Sequence, residues 1–327
     1  MEEREETFKT IAQLNMVTPA TLIRHYKKHS SGYEDWDQKD HAEQYLLFAK
    51  NIGPNLSIDE VSLSNGELYT LLTNKAGKGR KGSLVASIRG TRTKDIVAVL
   101  EQLPATLRAT VKEVSMDMAK NLQKAVEKVF FNAKMVTDRF HVVQLVQRCL
   151  QQVRIEQWRK ELEYENEQLA QARQIGQRYT PQELANGDTP KQLLARIRYS
   201  LMKFESQITD NNQWLRLRIA FYDYPELERA YHHTQRLRKI FNLTDRDQAT
   251  EQLEQWISTS KQDRYKAFYS AAMSLHWHKE TILNFFDHRT TNASAESFNA
   301  RIKLFRANQK GVRDTSFFLF RITKLYA

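Results

Sequence analysis

The chain has 327 residues, with 50 lysines and arginines against 39 aspartates and glutamates, a net charge of +11 and one cysteine, Cys149. A single cysteine excludes an intramolecular disulfide framework and a cysteine-rich zinc site, and it fits a reducing compartment. No apolar run approaches the roughly 18 residues of a membrane span. The basic balance favours nucleic acid or another anionic surface as partner. The length suits about two domains at ~150 residues each.

Residues 1–50 read as a helical N-terminal segment. The opening MEEREETFKT is acidic and lacks a signal-peptide layout, which points to a cytoplasmic protein. Thr18 and Pro19 form a helix start, and DHAEQYLLFAK carries a second helical pattern up to Gly53-Pro54. The period then changes. LSIDEVSL and ELYTLLTN read as strands flanking Asn65-Gly66, a strong hairpin signal. A third strand, SLVASIRG, follows the basic loop KAGKGRKG. Ile96, Val99, Leu100 and Leu103 mark a helix, VKEVSMDMA a fourth strand, Leu122 to Phe130 another helix, and AKMVTDRF a fifth strand.

Three hairpin-linked strands followed by two helical crossovers predict an α/β, ribonuclease H-like mixed sheet of order 3-2-1-4-5. Residues 151–288 read as all-helical, with Pro181, Pro190 and Pro225 at helix starts. The expected organisation is therefore a core in two parts, 51–150 and 289–327, split by a large helical insertion at 151–288. The C-terminal tail TSFFLFRITKLY is expected to fold back on the core.

Asp59 interrupts the first strand of this core, and Asp117 lies near the end of the fourth. Those strands are expected to be neighbours about 4.8 Å apart. Two carboxylates that close repel unless a cation sits between them. Glu296 is the best candidate for a third acid. On its helix Asn292, Glu296, Asn299 and Lys303 recur at i, i+4, i+7 and i+11, while Phe298, Ile302 and Phe305 form a separate apolar face. Oxygen ligands of this kind suit magnesium, and paired ions can drive phosphodiester chemistry.

Four ordered motifs carry a resemblance at this point: Ile58-Asp59-Glu60, Asp117-Met118-Ala119, Asp138-Arg139-Phe140-His141, and the run from Asn292 through Glu296 and Asn299 to Ile302-Lys303. Over roughly residues 40–327 the chain resembles insertion-sequence transposases of the DDE superfamily. The resemblance implies a catalytic, metal-holding triad of Asp59, Asp117 and Glu296. It also implies two Mg2+ ions, for which Mn2+ can substitute, and cleavage and strand transfer of DNA. Element ends and target DNA are the implied partners, in a nucleoid-associated, homodimeric enzyme without membrane contact. The longer relatives carry an N-terminal zinc-binding and helix-turn-helix region that is not seen here, so a separately encoded N-terminal recognition protein is expected.

Asp138, His141, Asn292, Asn299 and Lys303 are read as supporting residues. For Asp138 and His141 purely structural roles, and for Asn292 helix capping, stand beside that reading. Lys78, Arg80 and Lys81 in the basic loop, and Arg301, are candidate contacts to the DNA backbone, beside the alternative of a solvated charge run. The loop is no Walker motif, because Gly82 is followed by Ser83. His276 and His278 stand two apart and point to different sides of a helix, which argues against a metal pair. Trp158, Trp214, Trp256 and Trp277 read as core residues, with one able to hold an extruded base. Two alternatives remain in view: a structure-specific nuclease of the same fold, and a DNA-binding protein derived from a transposase.

Overall fold

A computed structural model of the chain describes residues 8–63, 66–262, 266–289, 293–309 and 312–327. The chain divides into two compact units, residues 1–138 with 288–327 and residues 139–287.

The first unit opens with α1 (Phe8–Leu14) and α2 (Pro19–His25). Thr18 caps α2 as expected: its Oγ1 accepts from the Thr21 amide at 3.2 Å, and Pro19 fills the first turn. Six strands follow: β1 (Tyr45–Leu47), β2 (Asn55–Ser62), β3 (Leu68–Asn74), β4 (Leu84–Arg89), β5 (Glu113–Met116) and β6 (Lys134–Thr137). Between them lie α3 (Thr93–Leu100), α4 (Ala105–Arg108) and α5 (Lys120–Val129). They form one sheet of order β1-β4-β3-β2-β5-β6. Strands β2, β3 and β4 pair antiparallel, whereas β5 and β6 run parallel to β2. This is the expected ribonuclease H-like arrangement with one strand added at its edge.

That added strand corrects the helical reading of DHAEQYLLFAK. Tyr45 to Leu47 pair antiparallel with Ile88 to Ala86 of β4. Leu46 is fully buried toward one face of the sheet, while Tyr45 and Leu47 pack against the other. An unpaired edge on β4 is an acceptor for any short apolar segment, and that long-range pairing overrides the local helical spacing. At the β2–β3 hairpin the Leu63 amide donates to the Glu67 carbonyl at 2.7 Å, and Gly66 adopts a positive φ of 75°. The turn residue Asn65 lies outside the described residues.

The second unit contains α6 (Arg139–Gln174), α7 (Pro190–Arg196), α8 (Asn211–Asp223), α9 (Pro225–Ile240), α10 (Arg246–Lys261), α11 (Lys266–Trp277), α12 (Lys279–Leu283) and α13 (Phe285–His288), the last ending at the unit boundary. No strand occurs among its described residues. Pro190 opens α7 behind a complete capping box of Thr189 and Gln192. The tryptophans divide. Trp256 is buried, stacks on His233 at 4.6 Å and donates Nε1–H to the His233 carbonyl at 2.9 Å, whereas Trp277 is exposed. Several basic residues here are also structural. Arg238 lies over the Phe204 ring at 3.7 Å and donates to the Met202 carbonyl, while Arg196 and Arg216 both pair with buried Asp188.

The chain returns to the first unit as α14 (Ala293–Asn308) and α15 (Thr315–Tyr326). Alternation along the strands separates two cores. Leu56 and Ile58 of β2 join Leu72, Val114 and Met116 beneath α3 and α5. Val61, Tyr69 and Leu71 face the other way and join Phe298, Ile302 and Phe305 of α14 with Phe318 and Ile322 of α15. The C-terminal helix therefore folds back on the core as expected. It also seats Phe8, Tyr26 and Tyr33 of the N-terminal segment against Phe317 and Phe320.

Two outcomes follow from this packing. A Cβ at Gly77, in the turn after β3, would stand 2.8 Å from the Ser83 backbone, so Gly77→Ala is expected to cost about 1–3 kcal/mol, read as a lowered urea midpoint. Cys149 is buried, which pushes its thiol up to about 11. Little thiolate then exists at pH 8, and a disulfide reagent is expected to label the protein only when it is unfolded.

Candidate metal centre

The parallel pairing of β2, β5 and β6 determines where the acids fall. Ser57 stands opposite Ser115, and Ser115 opposite Val136. Two residues further along each segment come Asp59, Asp117 and Asp138. The Asp138 amide donates to the Met116 carbonyl at 2.9 Å, carrying the ladder past the last assigned pair. The three acids thus form one row across adjacent segments, Asp59 inside β2 and Asp117 and Asp138 just past the ends of β5 and β6. Successive side chains alternate between faces, so all three belong to the face opposite Ile58, Met116 and Met135, which is the face that α14 covers.

Helix α14 reaches the row through one direct hydrogen bond. Asn299 Nδ2 donates to Asp59 Oδ2 at 2.7 Å, and the other carboxylate oxygen of Asp59 accepts from the Glu60 amide at 2.8 Å. Phe298 and Ile302 flank this contact and anchor the helix on the sheet. Three residues before Asn299, Glu296 offers a carboxylate oxygen within 4.8 Å of one from Asp138. Asp117 Oδ1 accepts from the Ala119 amide at 2.8 Å, a local turn that holds the carboxylate at the strand end.

The structure therefore brings Asp138 to Glu296 and Asn299 to Asp59. It does not gather Asp59, Asp117 and Glu296 into one set with all three ligand atoms within 4.8 Å of each other. Asp59 is tied to Asn299, and Asp117 to its own backbone. The donors that line up here are carboxylate oxygens, the hard ligands that magnesium and manganese prefer.

The other expected residues are placed as follows. His141 lies in the first turn of α6, in the second unit, and its buried Nε2 has no hydrogen-bond partner among the described residues. Lys303 is exposed on α14, and Asn292 lies outside the described residues. Lys78, Arg80 and Lys81 are exposed on the loop after β3, where Lys78 takes a left-handed φ of 49°. Arg301 Nη1 donates to the Gly79 carbonyl of that loop at 3.1 Å, so this guanidinium fastens the loop to α14.

Two features were not legible beforehand. Lys75 and Glu113 form a largely buried ion pair at 3.3 Å. Burial pulls the Lys75 ammonium below its ordinary value, with Glu113 opposing the shift and Asp138 adding a smaller opposing influence. Asn121 Nδ2 links Glu60 Oε1 at 2.9 Å to the Thr91 carbonyl at 2.8 Å, bracing the end of β2. Neither contact has a sequence signature, since each joins residues dozens of positions apart.

A ribonuclease H-like sheet with a row of acids on one face and a helix laid across that face is an architecture of nucleic-acid-processing enzymes. The chain belongs to the ISL3 family of DDE transposases, whose model, described as a transposase, matches residues 56–322. Curated relatives include the transposases for insertion sequence element IS1557 of two Mycobacterium tuberculosis strains, CDC 1551 / Oshkosh and ATCC 25618 / H37Rv. Each is 26% identical over 266 residues, covering 79% of this chain and 56% of the relative. The chain thus spans about half the length of the curated relatives it matches.

The Asn299–Asp59 contact yields a direct test. Asn299 is 7% exposed, and Asn299→Leu leaves Asp59 without that donor. The expected cost is about 1–3 kcal/mol, measured by urea unfolding at neutral pH without divalent metal.

Proposed function

We propose that this chain is the catalytic core of an insertion-sequence transposase that cleaves DNA strands and joins a 3′-hydroxyl to target DNA, with Asp59, Asp117 and Glu296 as the metal-holding triad. The observation that carries the reading is the strand register. Two residues beyond the Ser57–Ser115 pair come Asp59, inside β2, and Asp117, just past β5, on the face crossed by the helix that bears Glu296. Like charges concentrated in this way call for divalent cations, and the all-oxygen donor set fits magnesium, with manganese as a substitute. Two ions bound there supply activation of the attacking oxygen and stabilisation of the leaving oxygen at phosphorus.

The chain's own groups do the positioning. Asn299 orients the Asp59 carboxylate. The Ala119 amide orients Asp117. The apolar stripe of α14 fixes the height of Glu296 above the sheet. Arg301 restrains the loop at Gly79, and this leaves exposed Lys78, Arg80 and Lys81 to meet DNA phosphates. In this reading residues 151–288 are a helical insertion between core segments 51–150 and 289–327. Element ends and target DNA are the partners of a homodimer.

The decisive experiment is Mg2+-dependent nicking and strand transfer on DNA carrying the element ends. Asp59→Asn, Asp117→Asn and Glu296→Gln are each expected to lose roughly 10²–10³-fold or more in both steps, the scale of losing one electrostatic stabiliser of a transition state. Far-ultraviolet circular dichroism and DNA retention in gel shifts should stay unchanged. Wild-type cleavage in any variant removes that residue from the triad, and nicking without any joining favours a nuclease.

A further inference from the structure

We propose that Asp138 is a fourth carboxylate of the metal centre, sharing a divalent cation with Glu296; the inference rests on the transposase reading above and extends it to a residue outside the triad. Three independent features converge on it. The β5–β6 register puts Asp138 beside Asp117 and in line with Asp59, on the face covered by α14. Asp138 and Glu296 present carboxylate oxygens within 4.8 Å of one another, although 158 positions separate them in the sequence. Asp138 is only 2% exposed.

A carboxylate so thoroughly removed from water, next to a second carboxylate, is costly as a pair of bare anions. Two carboxylates this close favour a divalent cation between them. The cation is favoured by what surrounds the pair. The other acids of the row, Asp59 and Asp117, add negative charge on the same face, which favours a divalent ion there.

Asp138 also immediately precedes α6, where an aspartate can cap the helix. Capping and metal binding make different demands. A cap needs only a side-chain oxygen, which Asn and Ser supply as well as Asp, whereas a divalent cation needs the negative charge.

The test is Mn2+ binding to the full chain, followed by electron paramagnetic resonance of the free ion and by calorimetry. The proteins compared are wild type, Asp138→Asn, Asp138→Ser, Asp59→Asn and Glu296→Gln, with thermal unfolding in chelator recorded for each. Asp138→Asn and Asp138→Ser are expected to lower Mn2+ affinity roughly tenfold or more, or to lose one bound ion, while Tm in chelator stays within a few degrees of wild type. Metal-induced stabilisation should shrink in parallel. Wild-type Mn2+ binding in the Asp138 variants, with binding weakened in Asp59→Asn and Glu296→Gln, overturns the role of Asp138 and leaves the triad standing. If the wild-type chain binds no Mn2+ at all, Asp138 falls together with the centre it was assigned to.

Discussion

Everything at the candidate centre depends on the parallel pairing of β2, β5 and β6. Three acids that lie 58 and 21 positions apart along the chain, Asp59, Asp117 and Asp138, become neighbours only because Ser57, Ser115 and Val136 share one level of the ladder. A slip of one residue in either pairing would turn an acid into the apolar core beneath α3 and α5, where Ile58 and Met116 now sit. That core defends the register, because the burial of Leu56, Ile58, Val114 and Met116 on one face obliges the alternate residues to emerge on the other. The stability of the sheet and the placement of the acids are consequences of the same alternation.

Helix α14 transmits that order to the fourth acid. Phe298, Ile302 and Phe305 form a dry stripe against Val61, Leu71 and Leu84, and Arg306 secures the helix laterally through a 2.6 Å ion pair with Glu67 at the β2–β3 hairpin. With its rotation set in this way, Asn299 meets Asp59 and Glu296 meets Asp138. Arg301 then ties the basic loop after β3 to the same helix. One element thus couples carboxylate geometry to the position of the exposed lysines.

Concentrating acids at one sheet edge works against folding in the absence of a counter-ion, and the structure offsets the cost with local donors. The Glu60 amide and Asn299 serve Asp59, the Ala119 amide serves Asp117, and Asn121 holds Glu60. Two of these four donors are backbone amides, Glu60 within β2 and Ala119 just past β5, and two are side-chain amides. Backbone and side-chain amides thus share the work of orienting these carboxylates.

Much of this was determined by the sequence alone. The switch from period two to helical spacing marked five of the six strands and their order, because each strand buries a face large enough to leave a local pattern. Asp59 stood out because a charge in an apolar strand is locally anomalous, Asp117 because it falls near the end of the neighbouring strand, and Glu296 because it lies on a polar stripe of its helix. The edge strand Tyr45–Leu47 was not legible: three residues carry too little pattern, and only the open edge of β4 makes them a strand. The pairing of Asp138 with Glu296, the Asn299–Asp59 bond and the buried Lys75–Glu113 pair were likewise decided by tertiary structure. Which carboxylate faces which depends on strand register and helix rotation, and those are set by packing across the whole sheet rather than by any short stretch of chain.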